Sequence, residues 1–280
     1  MNLILASKLD VASVNLYDTL LELSSWEQIG VFDSNPVWSL TKDYNFFCNT
    51  NTQMVMIDEL HINAENIDAR WEKETNTSID ILAFLSRHKA ASGTPSLTVH
   101  PIGNWGIAEY GGSDNNVSHT SPAEMSGLLL ELNKNAPSDY QVCLEATHHG
   151  PYVETPTFFI EIGSSPDRWE LKEPAEAIVK SLLNFKPSLG PKLVGIGGGH
   201  YAPRFTEALF SHEVCFGHIV ANYGLKTLTP KLLAKALSVS SADGIYLHRK
   251  GMPKSALREI IQLAEKQKIR IFRQSDLVQR

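Results

Sequence analysis

Residues 140–151 read Tyr140-Gln141-Val142-Cys143-Leu144-Glu145-Ala146-Thr147-His148-His149-Gly150-Pro151. The apolar first half predicts a strand over residues 140–146, and Gly150-Pro151 stops it, because proline has no N–H to give to a ladder. A strand running on through His149 would put Glu145 and His149 on one face and His148 on the other. A break before Gly150 frees both imidazoles to turn inward. The same arrangement recurs along the chain. Residues 81–85 run into Ser86-Arg87-His88, residues 97–99 into His100-Pro101-Ile102-Gly103-Asn104, and residues 193–196 into Gly197-Gly198-Gly199-His200-Tyr201-Ala202-Pro203. A fifth segment, Glu161-Ile162-Gly163-Ser164-Ser165, adds a carboxylate. Open α/β sheets bind ligands beyond the carboxyl ends of their strands, so these ends are expected to share one crevice.

Working outward, periodicity predicts strands over 3–7, 79–86, 96–100, 157–162, 192–196, 244–248 and 269–272, and a strand pair over 46–58 that turns at Asn49-Thr50-Asn51-Thr52. It predicts helices over 11–23, 174–183, 204–210, 230–237 and 253–266. Ser121-Pro122-Ala123-Glu124 reads as a helix start, with Ser as cap, Pro in the first position and Glu in the capping-box place, for a helix reaching about Asn133. Such alternation implies an α/β architecture with a mixed sheet. The sequence has no repeat and no linker rich in Pro, Gly and Ser, so one α/β unit over residues 1–280, with insertions, is expected.

The composition of the 280 residues, 42% hydrophobic and 20% charged, excludes disordered, collagen-like and coiled-coil readings. Apolar runs such as Leu128 to Leu130, ended by Glu131, fall far short of the roughly 20 residues of a membrane helix. The apolar start of the chain lacks a basic flank and meets Lys8 at once, so it reads as a strand rather than a signal segment. A cytoplasmic protein without membrane or DNA contact, monomeric rather than oligomeric, is the expectation. Cys48, Cys143 and Cys215 are odd in number and far apart, which argues against disulfides and metal knuckles. The net charge of −6 conceals an asymmetry: residues 1–220 carry −14 and residues 221–280 carry +8. That basic segment could hold a polyanion, or its cations could be the solvated faces of surface helices.

Histidines and carboxylates without paired cysteines suit a metal held by N and O ligands, with zinc the natural candidate. The candidate ligands are His100, Glu145, His148, Glu161 and His200. His100, Glu145, His148 and His149 are the candidate catalytic groups, while His61, His212 and His248, taken singly, read as structural or surface residues. The glycine run has His200 where a dinucleotide fingerprint needs its third glycine, and no Gly-Lys-Ser/Thr follows it. Close backbone approach, with Gly198 and Gly199 N–H groups offered to an anionic oxygen, is its more economical role. There is no G-x-S-x-G elbow and Cys143 lies inside an apolar strand, so water activated by metal or histidine is the expected nucleophile.

Ser86-Arg87-His88, Leu97-Thr98-Val99-His100 with Gly103-Asn104, the 145–151 block, Glu161–Ser165 with Trp169, Gly198–Thr206 and Gly217-His218 together resemble the archaeal and plant type of D-aminoacyl-tRNA deacylase, over about residues 1–223. The resemblance implies a three-layer phosphorylase/hydrolase-like α/β fold with a mixed sheet. It also implies zinc dependence and hydrolysis of the ester between a D-amino acid and the terminal ribose of tRNA. Arg87, His88, Asn104, Gly198, Gly199 and Tyr201 stand beside the ligands as candidate substrate-binding groups, with Arg87 facing the terminal phosphate or ribose. Two other readings stay open: a metal-independent nucleoside or peptidyl-tRNA processing enzyme on the same fold, and a non-catalytic tRNA-binding module.

Overall fold

A computed structural model describes all 280 residues. In chain order, β1 (Asn2–Ser7), α1 (Val11–Leu23), β2 (Trp26–Phe32), β3 (Asn35–Leu40), β4 (Thr52–Ile57), α2 (Ile67–Thr75), β5 (Ile81–Arg87) and β6 (Ser96–His100) form the first third. A short pair, β7 (Gly103–Asn104) and β8 (Asn116–Val117), precedes α3 (Pro122–Asn135), β9 (Gln141–Leu144), β10 (Thr157–Gly163), α4 (Pro166–Trp169) and α5 (Lys172–Asn184). The rest comprises β11 (Lys192–Ile196), α6 (Pro203–Ser211), β12 (His212–Glu213), β13 (Cys215–Val220), α7 (Pro230–Val239), β14 (Gly244–Leu247), α8 (Lys254–Lys266), β15 (Ile271–Phe272) and β16 (Val278–Gln279).

Eight strands form a mixed sheet in the order β2-β3-β4-β1-β5-β10-β6-β9, as the alternating sequence implied. Every residue of β1 is buried, the mark of a strand covered on both faces. On one face Ile4, Ala83, Leu85, Val99 and Ile160 join the large core built with α1, α3 and α5. On the other, Leu3, Leu5, Phe84 and Phe159 pack with Trp71 of α2. The strand pair expected over 46–58 is not there, and only Thr52–Ile57 is a strand. In the preceding residues the Asn45 carboxamide oxygen takes the N–H groups of Phe47 and Cys48, and the Asn49 oxygen takes that of Asn51. These local bonds divert the backbone from a ladder. The hairpin lies earlier, β2 against β3, turning through Asp33 and Ser34 with φ of 47° and 65°. Helix α3 starts at Pro122 as expected, but the Ser121 side chain makes no capping bond.

The last third departs from the expected single sheet. β13, β11, β14 and β15 make a separate, all-parallel four-stranded sheet. The same core cluster nevertheless runs through both sheets, since Leu193, Phe205, Phe216 and Tyr246 belong to it along with Ile4 and Leu16.

The strand directions also correct the idea of a shared carboxyl edge. β10 runs parallel to β5 but antiparallel to β6, and β9 runs parallel to β6, so the carboxyl ends of these strands point opposite ways. The site residues meet because they share a face. His100 pairs with Phe159, Thr98 with Glu161 and Ser86 with Glu161, and paired residues project to the same side. The parallel loops of the second sheet then close over that face: Ala146 N–H donates to the His200 carbonyl (2.8 Å) and Thr147 N–H to the Ile219 carbonyl (3.0 Å).

Buried His218 on β13 clamps this junction. Its Nε2–H donates to the Ser118 carbonyl (2.9 Å), which leaves Nδ1 to accept the Thr147 hydroxyl (3.1 Å). Burial lowers its pKa to about 4, against the partial opposition of the Ser118 bond. The unfolded chain, with a histidine near 6.5, therefore takes up this proton first as pH falls. The stability present above pH 6.5 is lost between about 6.5 and 4, up to about 3 kcal/mol from this group. Urea unfolding at pH 7, 6, 5 and 4 is expected to show that slope, and His218→Gln to flatten it.

Gly127 in α3 tests the packing between layers. A Cβ there would lie 1.9 Å from the Lys186 carbonyl oxygen. Alanine improves helix propensity by about 1 kcal/mol, but a backbone overlap of that depth outweighs it. Gly127→Ala is therefore expected to lower the melting temperature by several degrees, as thermal unfolding would read.

Candidate active site

Two buried carboxylates form the floor. Glu161 is near the end of β10, and Glu145 follows β9, which stops at Leu144. Because the strand ends at Leu144, six residues before Gly150, His148 and His149 are both free to turn the same way, and they do. Their rings lie 4.3 Å apart, and 4.2 and 4.8 Å from that of His100. Phe159 supports the group, stacked on His100 at 5.2 Å and edge-on to His149 at 4.9 Å. His88, one residue past β5, enters from the other end, and His200 comes down from the loop after β11.

The distances show a converging set. His200 Nε2 is 3.0 Å and His148 Nε2 3.6 Å from Glu145 Oε2; His88 Nδ1 is 3.1 Å from Glu145 Oε1 and 3.4 Å from Glu161 Oε2; His100 Nε2 is 3.6 Å from Glu161 Oε1. Yet neither Glu145 oxygen, nor His100 Nε2, has a hydrogen-bond partner. Three overlapping sets have donor atoms within 4.8 Å of one another: His100, His148 and His149; His88, Glu145 and His200; and His100, Glu145 and Glu161.

Three histidines are locked in one orientation. His100, His148 and His149 each hold a backbone carbonyl through Nδ1, those of Pro101 (3.1 Å), Ala146 (2.8 Å) and Gly150 (2.9 Å). A carbonyl only accepts, so Nδ1 carries the hydrogen and Nε2 presents its lone pair. Electrostatics reinforces this for His148 and His149. Burial, with neighbouring imidazoles, holds His148 well below the usual histidine range and His149 down to about 3, so both are neutral at pH 7. Burial also pulls on His88 and His100, but the nearby Glu161 and Glu145 outweigh it and raise both. Burial pushes the two carboxyls up, and their histidine neighbours reverse that: Glu161 lies well below the usual range and Glu145 below it.

Of the candidate substrate groups, Arg87 lines the cavity, its guanidinium 5.2 Å over the Trp169 ring. Tyr201 instead braces the centre, its hydroxyl 2.9 Å from His88 Nε2. Asn104 donates to the Gly111 carbonyl (2.9 Å) and so shapes the loop over residues 105–111. The Gly198 N–H is already committed to Asn222 Oδ1 (3.2 Å) and the Gly251 carbonyl (3.3 Å), which removes it as an oxyanion donor; Gly199 faces open space. Cys143 is buried and its thiol is pushed up by burial, consistent with a core role. His61, read as structural or surface, is buried beside Asp10 (3.3 Å) and lines the floor of the cavity. Neither Asp10, which caps α1, nor His61 carries a local sequence signal for this position; only the sheet brings them there.

Two cavities open onto the centre and share Tyr110, His148, His149 and His200. One, of about 500 Å³, is polar and includes Asp10, His61, Arg87, His88 and Glu161. The other, of about 410 Å³, is walled by Trp105, Ile107, Tyr110 and Tyr223. A centre of this kind can hold a cation, activate water and bind a substrate with two dissimilar ends.

Residues 75–272 match the sequence model of the family described as D-aminoacyl-tRNA deacylase. The D-aminoacyl-tRNA deacylase of Thermococcus kodakarensis is 37% identical over 259 residues, covering 90% of this chain and 92% of the relative. That of Pyrococcus abyssi is 36% identical with the same coverage. The crystal structure of a conserved protein of unknown function superposes with a TM-score of 0.88 at 28% identity, covering 99% of this chain and 96% of the other. By the span of the family match and the identity to these relatives along nearly their whole length, the chain belongs to the D-aminoacyl-tRNA deacylase family.

Proposed function

We propose that this chain hydrolyses the ester joining a D-amino acid to the terminal ribose of tRNA, and that the histidine–glutamate centre does so with zinc. What supports zinc is the lock on the histidines: with Nδ1–H held by carbonyls, the Nε2 atoms of His100, His148 and His149 converge beside unpartnered carboxylate oxygens. Acceptors gathered in a buried site repel one another unless a cation joins them. His100, His148 and His149, whose donor atoms form one set, with Glu161 beside His100, are the proposed holders, which leaves Glu145 and His200, also expected as ligands, free for proton transfer.

When bound, zinc supplies Lewis acidity that polarises the ester carbonyl and lowers the pKa of water. The chain's own residues move the proton. Glu145 accepts it from the attacking water, and His200 Nε2, 3.0 Å from Glu145 Oε2 at the cavity edge, carries it to the departing ribose oxygen. His88, tied to Tyr201, keeps the two carboxylates in register.

Protein purified without an affinity tag and stripped with a chelator is expected to lose turnover of D-aminoacyl-tRNA, to regain it with added zinc, and to leave L-aminoacyl-tRNA intact. Full activity after stripping would support the metal-independent reading, and tRNA binding without multiple turnover the non-catalytic one. His148→Ala is expected to lower kcat by about 10²-fold or more and to reduce bound zinc, with tRNA affinity kept.

The basic segment over residues 221–280 serves tRNA binding in this reading, but not as one face. Lys250 follows β14, and Lys254 and Arg258 open α8, at the carboxyl edge of the parallel sheet where the His200 loop also lies. Lys266 is about 18 Å further along the helix, toward the opposite edge. Replacing Lys250, Lys254 and Arg258 together with Ser is expected to raise KM for charged tRNA, with kcat little changed, and to flatten the salt dependence of log K by about 0.7 to 0.9 per lost contact. The triple Lys266, Lys268 and Arg270 to Ser is expected to do neither.

A further inference from the structure

The two cavities differ in chemistry, and the ester they would share has two dissimilar ends. On one side of the scissile bond are a ribose, a purine and the phosphates that lead back into the tRNA. On the other are an ammonium group and an amino-acid side chain. A purine offers a large flat π-face and calls for aromatic or apolar walls; phosphates call for unpaired cations.

One cavity joins a larger aromatic wall to several free cations. Its walls carry two large apolar side chains of its own that the protein leaves uncovered, Ile107 at 77% and Tyr223 at 58% exposure, besides Tyr110, which it shares with the other cavity. Buried Trp105 lies behind them, fixed by its indole N–H to the Ile219 carbonyl (3.2 Å). The Tyr223 hydroxyl stands 3.3 Å from His200 Nδ1, so a ring stacked on Tyr223 would sit against the reacting centre.

The cations are on the same side. Lys226 adjoins Thr227, which lines this cavity. Arg249 and Lys250 are brought beside it because Asn222, next to Tyr223, donates to the Gly251 carbonyl (2.6 Å) and accepts from Gly198 N–H. All three basic side chains are exposed and none is held in an ion pair. The other cavity has buried Asp10 and Glu161 in its wall, whereas the one carboxylate lining the first is exposed Glu109. The other cavity's guanidinium, Arg87, is occupied over Trp169 with Asp10 3.9 Å away, and its exposed Lys89 shares the wall with those two buried acids.

We propose that the cavity walled by Trp105, Ile107 and Tyr223 holds the 3′-terminal adenosine of the tRNA, with Lys226, Arg249 and Lys250 guiding the preceding phosphates, and that the aminoacyl group points into the Arg87 cavity. This assignment rests on the deacylase reading of the site. It fixes the direction in which the ester crosses the histidines, and it places discrimination between amino acids in the cavity over His61 and Arg87.

The probe is the trinucleotide CCA, titrated by calorimetry against the full chain, in parallel with deacylation of D-tyrosyl-tRNA. CCA is expected to bind and to inhibit competitively. Tyr223→Ala and Ile107→Asp should each weaken CCA binding by about tenfold or more and raise KM, whereas Tyr223→Phe, which keeps the ring, should bind as the parent does. Arg87→Ala should leave CCA affinity unchanged. Absence of CCA binding, undiminished affinity in both Tyr223→Ala and Ile107→Asp, or loss of binding on Arg87→Ala alone would overturn the assignment. A chain that binds CCA through Tyr223 but turns over no D-tyrosyl-tRNA would uphold the adenosine cavity and overturn the deacylase reading. Turnover with CCA binding indifferent to Tyr223 would do the reverse.

Discussion

Two carboxylates, Glu145 and Glu161, lie buried side by side among four imidazoles that come within 3.0–3.6 Å of them. Removing even one such charge from water costs several kcal/mol unless positive charge or donors meet it. Much of the surrounding structure can be understood as the means of bringing those groups together. β10 puts Glu161 on the face that β6 gives to His100, Phe159 stacks beneath the imidazoles, and the stop at Leu144 lets Glu145 and the His148–His149 pair turn onto the same face.

The second sheet completes what the first cannot. Its four parallel strands send their carboxyl-end loops over the face of the mixed sheet, and from them come His200, Tyr223 and the basic residues after β14. The joint between the sheets is polar and specific: His218, Thr147 and Ser118 form a buried relay in which each donor has its acceptor. A satisfied network of this kind fixes one geometry, which a site with donors a few ångströms apart requires. The glycines at 197 and 198 fix the His200 loop within the second sheet, since their positive φ values and the nearness of Met252 and His248 leave no room for a side chain.

The site residues were legible because their local context is unusual. Adjacent histidines before Gly-Pro, a histidine closing a short apolar run, and a glycine run leading to His-Tyr each pair a chemically able side chain with a chain break. Such breaks are written in the sequence by proline's missing N–H and glycine's freedom. Most helices and strands were legible for a similar reason, since period and punctuation act within a few residues. The hairpin over Trp26–Leu40 was not, because its turn, Asp33-Ser34, lacks the glycine that usually announces one, and the Asn-rich stretch before β4 bonds to its own backbone instead.

By itself, then, the sequence determined the α/β class, the placement of most elements, the chain breaks from which most of the clustered histidines and carboxylates come, and the family resemblance. It could not say that β6 runs against β10, that the last strands form a sheet of their own, or that Asp10 and His61 lie under the cavity. Nor could it show that the basic segment is divided between two edges, or that two cavities of different character meet at the histidines. Strand direction, and which loop faces which, depend on pairing between residues far apart in the chain. That pairing is settled by the burial of whole faces rather than by any local run of residues.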